Sequence, residues 1–430
     1  MNKLNKNRLV HELRFKNGDG SSFSDWKLNK LKSLAERKTA KNKGEEITRV
    51  LTNSAVEGIL DQRDYFEKDI ATKGNLQGYY LVDEGDFVYN PRVSTSAPVG
   101  PISKNKIGTG VMSPLYTVFR FYNEDNDFFE QFFKSSKWHT YLKSVSNVGA
   151  RHDRMSISTD DFVGMPIPCP TDQEEQHKIE GFLSSVDELV TLQSQKLEAL
   201  KNHKKGLMQQ LFPAECETIP KLRFPEFQGD GEWKEKPLKE VFSIFQGFAF
   251  SSKDSASTGE RWLKIADVSI QSMNHNTPSY LPVGHKDKYK KFSVKLGDYV
   301  IALTRPILGK QLKMARVDEV FDGALLNQRV GKLVTDQNVE FVYCLLQTSQ
   351  LISNIEISIS GSEPPNLSAQ QIENIKTYIP SLCEQQKIAN FLLSIDEVIN
   401  AQTKKLESLK LYRKGLLEQL IPNVEGGGYE

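Results

Sequence analysis

Asp230, Glu232 and Lys234 have the residue types and order of the D…ExK motif of metal-dependent nucleases. In such a site the carboxylates hold a magnesium ion, which assists hydrolysis of a phosphodiester bond. The three residues flank Trp233 in a stretch rich in proline and glycine, and a similar stretch near the start, around Trp26, has no matching glutamate. A nuclease is therefore the least favoured of three hypotheses for this chain.

The sequence offers no second catalytic or cofactor motif. It lacks a GxxxxGK[ST] phosphate loop, and no glycine-rich loop has the flanking pattern of a dinucleotide or methyl-donor site. Its 7 histidines are scattered, without the spacing of metal ligands. The segment 151–154, Arg-His-Asp-Arg, fits an anion or base contact and equally a solvated turn. In so long a chain these absences favour a recognition or scaffolding protein over an enzyme.

Composition places the chain among ordinary multidomain proteins. Its 430 residues, 38% hydrophobic and 26% charged, suffice for two to four domains with separate cores. No apolar run approaches the roughly 18 residues of a membrane span, and the start lacks a signal-peptide core. The 4 cysteines include no CxxC pair, so reduced thiols and a cytoplasmic location are expected.

The net charge of +1 gives no global support to nucleic-acid binding. Any such surface must come from local clusters of basic residues, for which the simpler interpretation is a solvated face. The candidate clusters are Lys32, Arg37, Lys38, Lys41 and Lys43 in the first half, and Lys286, Lys288, Lys290 and Lys291 in the second.

One long segment occurs twice in the chain. Residues 174–213 align without a gap on residues 383–422, and 21 of the 40 aligned pairs are identical. The tripeptide Leu-Arg-Phe recurs at the same offset, at 13–15 and 222–224. The chain is therefore two related halves, each a globular part followed by a long helix. Two similar globular parts, each followed by a similar long helix, suit a protein that contacts two places on one extended ligand.

Apolar residues of both copies follow the 3-4 spacing of a coiled-coil stripe. Each helix is predicted to have about 38 residues and a length of roughly 57 Å. Packing the two helices together covers part of the stripe, and the remainder suggests helices from another chain. The residues assigned to this partner-helix interface are Ile179, Phe182, Val186, Leu197, Leu207, Ile388, Phe391, Ile395, Leu406 and Leu416.

Polar residues mark the ends and the middle of both helices. Asp172 with Glu175, and Ser381 with Glu384, have the spacing of capping boxes at a helix start. Within the stripe, glutamine occurs at 193 and 402, and a basic residue at 204 and 413. Polar residues in such a seam cost stability but fix register and partner.

The globular parts contain short β-type runs broken by glycine, proline, asparagine and serine. Both contain the pattern Gly-Asp-aromatic-Val, at 85–88 and 297–300, and a turn with an arginine follows each, Arg92 and Arg305. The predicted organisation is a first domain over 1–165, a central long helix over 166–213, a linker over 214–236, a second domain over 237–380, a C-terminal long helix over 381–422 and a disordered tail over 423–430.

These motifs resemble the specificity subunit of type I restriction-modification systems. The resemblance is carried by LRFPEF at 222–227, Trp233, the segments 167–170, 175–179, 182–183, 187–188, 196–201 and 205–213, and the second copy of the helix at 383–422. It covers nearly the whole chain. The second globular region opens with QGFAFSS at 246–252, a common start of target recognition domains in this family, which the first region lacks.

The resemblance implies an α/β (α+β) fold of two similar target recognition domains separated by two long antiparallel helices, a coiled coil with a pseudo-two-fold internal repeat. Each domain would bind one half of a split, asymmetric site in double-stranded DNA. The helices would set the gap between the half-sites and dock two modification (methyltransferase) subunits, which restriction (translocase-nuclease) subunits join. S-adenosylmethionine is expected on the modification subunits, ATP and Mg²⁺ on the restriction subunits, and no cofactor or metal on this non-catalytic chain.

Base readout requires side chains such as arginine, asparagine or glutamine that reach the groove edges from loops, whereas phosphates are met by lysine, arginine or serine. The residues predicted to bind DNA are Arg92, Arg151, Arg154, Gln246, Ser251, Arg305, Lys310 and Arg329. The alternative hypothesis, which the near-neutral charge fits, is a coiled-coil adaptor that binds other proteins without contacting DNA.

Overall fold

The computed structural model describes residues 8–65, 76–146, 153–361 and 364–425. The chain forms two compact units: unit 1 is Met1–Ser194 with Lys404–Glu430, and unit 2 is Gln195–Thr403. The central helix is Gln173–Leu211 and the C-terminal helix is Leu382–Leu420. Each unit therefore combines one globular domain with a part of both long helices.

Both globular domains are built on a four-stranded antiparallel sheet with the same order of strands. In domain 1 the neighbours are Ala35–Lys38, Thr117–Phe121, Phe87–Tyr89 and Ile102–Lys104. In domain 2 they are Ser243–Gln246, Val330–Val334, Tyr299–Ala302 and Met314–Arg316. The repeat in the helices thus extends to the domains, although their sequences match only in outline.

The remaining framework also recurs. A two-stranded pair joins the start and end of each domain: Lys27–Lys30 with Pro166–Cys169, and Lys234–Pro237 with Lys376–Ile379. Three helices follow the sheet, Asp127–Lys134, His139–Val145 and Thr159–Val163 in domain 1, and Val339–Leu346, Ser349–Ile359 and Ala369–Ile372 in domain 2. Their apolar faces share a core with the sheet and with both long helices.

Shorter elements decorate this framework. The further strand pairs are Leu51–Ser54 with Gly58–Asp61, Tyr80–Val82 with Gly110–Met112, and Ile307–Leu308 with Gln311–Leu312; Glu260–Leu263 lies between Tyr280–Leu281 and Leu325–Leu326. Short helical turns are Leu31–Leu34, Lys43–Glu45, Gln62–Tyr65, Pro225–Phe227, Leu238–Glu240, Ser252–Asp254, Ile265–Asp267, His285–Lys288, Lys290–Phe292 and Glu319–Phe321. Asn423–Glu425, assigned to the tail by sequence, pairs as a strand with Arg8–Val10.

The two long helices are antiparallel and are joined by equivalent ion pairs. Asp187 accepts a hydrogen bond from Nε of Arg413 at 2.7 Å, and Asp396 accepts one from Nζ of Lys204 at 2.5 Å. Both aspartates occupy the same position of the repeat, as do both cations. Lys204 and Arg413, two of the polar residues that interrupt the apolar stripe, therefore form ion pairs across the helices, which helps to fix their register.

Arg413→Met should destabilise unit 1 by about 1.5 kcal/mol at neutral pH. Burial raises the pKa of Asp187, but hydrogen bonds and charge from Arg413 and Lys134 outweigh it, so this pKa lies below its ordinary value. A carboxylate whose pKa is lower in the folded than in the unfolded state stabilises the folded protein at pH values above its unfolded-state pKa, about 3.9. This contribution is lost as the pH falls through the lower, folded-state pKa.

The check is urea unfolding of wild type and variant at several pH values. The difference in unfolding free energy should be full at pH 7 and shrink as the medium becomes more acidic than pH ~3.9. Lys414→Met removes an exposed neighbouring charge and serves as the control. A difference that stays constant across the titration would contradict this assignment.

A second pair of equivalent contacts attaches each Leu-Arg-Phe segment to the start of a long helix. Arg14 Nε donates to the buried Glu175 at 2.8 Å, and Arg223 Nε donates to the buried Glu384 at 2.8 Å. The phenylalanine that follows each arginine packs edge-on against a phenylalanine about two and a half turns into the helix, with ring centroids 5.6 Å apart in both copies. We call each such set an Arg–Glu clamp.

The clamps correct the capping-box prediction. Glu175 and Glu384 do not close a box with the helix-capping residue, because their carboxylates are directed to the arginines. Asp172 caps alone through its side chain, which accepts from the N–H of Glu174 at 2.9 Å. A glutamate three residues after a helix-capping residue is the sequence signal of a capping box. An arginine far away in the sequence gives no local signal that it will bind the same glutamate.

Candidate nucleic-acid interface

The repeated Gly-Asp motif is a structural turn that positions the loops carrying the predicted arginines. Its glycines have φ of 85° and 91°, in the left-handed region that favours glycine. The aspartates, Asp86 and Asp298, each accept from a backbone N–H three residues earlier at 2.8 Å. Asp86 also pairs with Arg120 at 2.6 Å and Asp298 with Lys332 at 3.4 Å. The hydrogen bond to Asp86 raises the pKa of Arg120 above its ordinary value.

Arg92 and Arg154 lie side by side in domain 1. Their backbones form an antiparallel bridge, so two loops far apart in sequence meet at one place. Both line an open cleft of about 290 Å³, and Arg154 also borders a cleft of about 340 Å³ that contains Arg37. Among the described residues, the only ion pair of either bridge arginine joins Arg154 to Asp153, at 3.9 Å. Arg151 lies outside the described residues.

Domain 2 places Gln246 and Arg329 in one open cleft of about 500 Å³. The side-chain amide of Gln246 donates to the carbonyl of Gln328 at 2.7 Å, which orients it at the end of its strand. Arg305 is exposed and has φ of 48°, an uncommon conformation for a residue other than glycine. Strain of this kind is tolerated where the surrounding structure fixes it, often at functional sites.

Lys310 and Ser251 lie outside the lining of this cleft. Lys310 is exposed at the turn of the hairpin formed by Ile307–Leu308 and Gln311–Leu312, with φ of 60°. Ser251 caps a short helical turn: its hydroxyl accepts from the N–H of Lys253 at 3.2 Å. Lys310 is thus exposed to solvent at the turn of a short hairpin, whereas Ser251 has a local structural role.

The second basic cluster forms a surface backed by aromatic rings. Lys286, Lys288, Lys290 and Lys291 are all exposed within two consecutive helical turns. Between them, Tyr289 and Phe292 pack inward against Phe248, with ring centroids 4.6 and 5.2 Å away. The aromatic rings anchor the turns while the lysine residues stay exposed. This arrangement suits contacts with a phosphate backbone.

Burial within the chain accounts for most of the predicted partner-helix residues. Ile179, Val186, Leu197, Ile388, Leu406 and Leu416 are buried, and Phe182, Leu207, Phe391 and Ile395 are half-buried. Other apolar side chains of the helices stay exposed, with Leu189 at 54%, Leu192 at 53% and Val398 at 46%. Leu189 and Val398 occupy the same position of the repeat. A surface for helices of another chain is therefore better sought at these residues.

The structure adds two residues that sequence reasoning missed. Thr304 and Asn366 form in domain 2 the bridge that Arg92 and Arg154 form in domain 1. The hydroxyl of Thr304 donates to the side-chain oxygen Oδ1 of Asn366 at 2.8 Å, across a separation of 62 residues. Both line the cleft that contains Gln246. The sequence does carry a signal: Thr304 and Asn366 are 62 residues apart, as are Arg92 and Arg154. This common spacing becomes visible once the repeated Gly-Asp motif is used to align the two domains.

The nuclease-like residues lie in the segment that braces the second clamp. Asp230, Glu232 and Lys234 are exposed, and the carbonyl of Asp230 accepts from Arg223 at 2.7 Å. Within the described ranges, no group of three or more His, Cys, Asp or Glu side chains is placed to hold a metal ion. None of the described helices combines the length and apolarity needed to cross a membrane.

Known proteins resemble this chain in both sequence and fold. Residues 230–411 match the family model described as type I restriction modification DNA specificity domain. The type I restriction enzyme MjaVIII specificity subunit of Methanocaldococcus jannaschii is 29% identical over 319 residues, which is 73% of each chain. The crystal structure of the type I restriction-modification S subunit from M. genitalium aligns over 96% of this chain and 99% of its own, at TM-score 0.55 and 16% identity.

A further solved structure, from work on complex assembly and conformational transition of the type I R-M system, covers 92% of this chain and 97% of its own, at TM-score 0.54 and 15% identity. The predicted α/β (α+β) fold, with two similar domains and two long antiparallel helices, is confirmed. In sequence and in fold, the chain is similar to the specificity subunits of type I restriction-modification systems.

Proposed function

We propose that each globular domain of this chain binds one half of a bipartite, asymmetric DNA site within a type I restriction-modification complex. The observation that carries this proposal is the contrast within the repeat. The sheets, Gly-Asp turns and Arg–Glu clamps are equivalent in both domains. The side chains that line the open clefts differ. A common scaffold with unlike clefts suits two unlike half-sites.

The long helices would set the unspecified gap between the half-sites and dock two modification subunits. Each helix has 39 residues, about 58 Å at 1.5 Å per residue. That length accommodates two contacts separated by one turn of B-DNA, about 34–36 Å. The exposed residues at equivalent positions, Leu189 and Val398, suit a pair of identical partners, because a pseudo-two-fold presents the same surface twice.

Restriction subunits would join the assembled core. Their ATP and Mg²⁺, and the S-adenosylmethionine of the modification subunits, would stay off this chain, which supplies recognition alone. The complex would then methylate adenine at its site and cleave unmodified DNA. We place it in the cytoplasm, where it would have access to cellular and invading DNA.

Exchanging residues 1–165 for the matching domain of a relative with another site tests this proposal. The exchange should alter one half of the methylated sequence and leave the other half and the gap unchanged. The measurement is adenine methylation across a genome in cells that also carry the modification subunit. Wild-type chain is the matched control, and a change in both halves would contradict independent reading.

Deletion of the chain separates this proposal from the adaptor hypothesis. If the domains read DNA, the modification subunit alone should lose site-specific methylation. If the chain only joins proteins, deleting it should reduce assembly of the complex, but the sequence that is methylated should stay the same.

A further inference from the structure

The internal repeat allows the two clefts to be compared position by position. In domain 1, Arg37 pairs with Phe119 on the neighbouring strand; in domain 2, Gln246 pairs with Gly331 on the equivalent strand. Phe119 lies one residue before Arg120, and Gly331 lies one residue before Lys332, the cations that bind the two Gly-Asp turns. Arg37 and Gln246 are therefore equivalent, and both line a cleft.

The isolated bridges supply two more equivalent positions. Arg92 corresponds to Thr304, and Arg154 corresponds to Asn366, because each bridge joins the loop after the Gly-Asp strand to the segment before the last short helix. The backbone geometry is retained while the side chains change. Where domain 1 has three arginines, domain 2 thus has glutamine, threonine and asparagine at the equivalent positions.

Neutral partners hold several of these side chains in place. Arg37 donates to the hydroxyl of Thr159 at 2.8 Å, Gln246 donates to a backbone carbonyl at 2.7 Å, and Asn366 accepts from Thr304 at 2.8 Å. Such contacts orient a guanidinium or an amide without neutralising charge. Orientation is what reading a base edge requires, since the donors and acceptors of each base pair have fixed positions.

We propose that these positions determine the base preference of each domain, with guanine contacted by the arginines of domain 1 and adenine by Asn366 and Gln246 of domain 2. Arginine matches the two acceptors O6 and N7 of guanine, and asparagine or glutamine matches N6 and N7 of adenine. The inference rests on the proposed function and specifies it by assigning a chemical class of base to each half-site.

The test is the transfer of one bridge, with its two side chains, between domains. The variant Arg92→Thr/Arg154→Asn gives domain 1 the bridge of domain 2. With the modification subunit present, its methylated sequence should lose a G·C requirement at one position of the domain-1 half-site, with preference for that pair lowered about 10- to 100-fold. The domain-2 half-site and the gap should not change. An unchanged sequence, or a change confined to the domain-2 half, would overturn the inference.

Arg154→Lys keeps the charge but cannot form the two parallel hydrogen bonds of arginine. In competition binding with oligonucleotides that carry each base pair at the affected position, it should retain overall affinity at low salt and lose discrimination. Full discrimination by the lysine variant would also overturn the inference. This assay decides the question even if the double variant does not fold. If wild type itself shows no two-part sequence, the proposed function fails instead, which is a separate outcome.

Discussion

Glu384→Ala should lower the free energy of unfolding of unit 2 by about 3–5 kcal/mol, the usual cost of removing one partner of a buried ion pair. The Glu384 side chain is 1% exposed and that of Arg223 is 7% exposed. The carboxylate accepts two hydrogen bonds from the arginine, at 2.8 and 2.7 Å, and a third from Trp233 at 3.3 Å. The variant leaves the guanidinium without its counter-charge in a largely dry site.

Chemical denaturation of the full chain measures this loss. Glu397→Ala, an exposed glutamate of the same helix, is the matched control and should change stability by less than about 0.5 kcal/mol. Replacing both clamp residues, in Arg223→Met/Glu384→Met, should cost less than Glu384→Ala because no lone buried charge remains. A double variant less stable than the single one would show that the clamp does not act as an ion pair.

Gly247→Ala should destabilise unit 2 by at least about 3 kcal/mol, at the upper end of overpacking effects. A Cβ at this position would lie 2.3 Å from the carbonyl oxygen of Asn327 and 2.4 Å from that of Leu326. Both are backbone atoms, so neither can move aside as a side chain would. The glycine of the QGFAFSS opening is therefore required for a close approach of two chain segments.

Gly247→Ala should also displace Gln246, because the adjacent residue 247 must shift to relieve the clash. We expect weaker DNA binding by the assembled complex together with the lower unfolding midpoint. Gly206→Ala is the matched control, since the Cβ it adds to the central helix meets no heavy atom within 4 Å apart from the neighbouring residues and backbone of its own helix. It should raise stability by about 0.5–1 kcal/mol. Equal effects of both substitutions would refute the close-approach explanation.

Sequence predicts the helices because their determinants are local. The apolar spacing, together with Pro213 and Pro422 just beyond the last turns, marks Gln173–Leu211 and Leu382–Leu420 to within a few residues. The partners of Glu175 and Glu384 could not be predicted in the same way. Each arginine of a clamp is 161 residues from its glutamate, and the local pattern favours a capping box instead.

The residues of the candidate interface likewise divide into those that the local sequence reveals and those that only the tertiary structure reveals. Arg92 and Arg305 were found because arginine after a Gly-Asp strand is visible in the sequence. Asn366 was missed because its neighbour Thr304 is brought to it only by tertiary structure. Ser251 has the residue type of a phosphate contact, but its hydroxyl is engaged in capping a helical turn. Residue type therefore identifies candidates, and the shared backbone geometry of the two domains selects among them.

Methylation mapping of DNA from cells with the wild-type chain and its modification subunit tests the central claim most directly. The account predicts one sequence with two specified blocks that differ from each other and are separated by an unspecified gap of constant length. Each block should depend on the clefts of one domain. A single continuous sequence, a perfect palindrome, or methylation without sequence preference would contradict it.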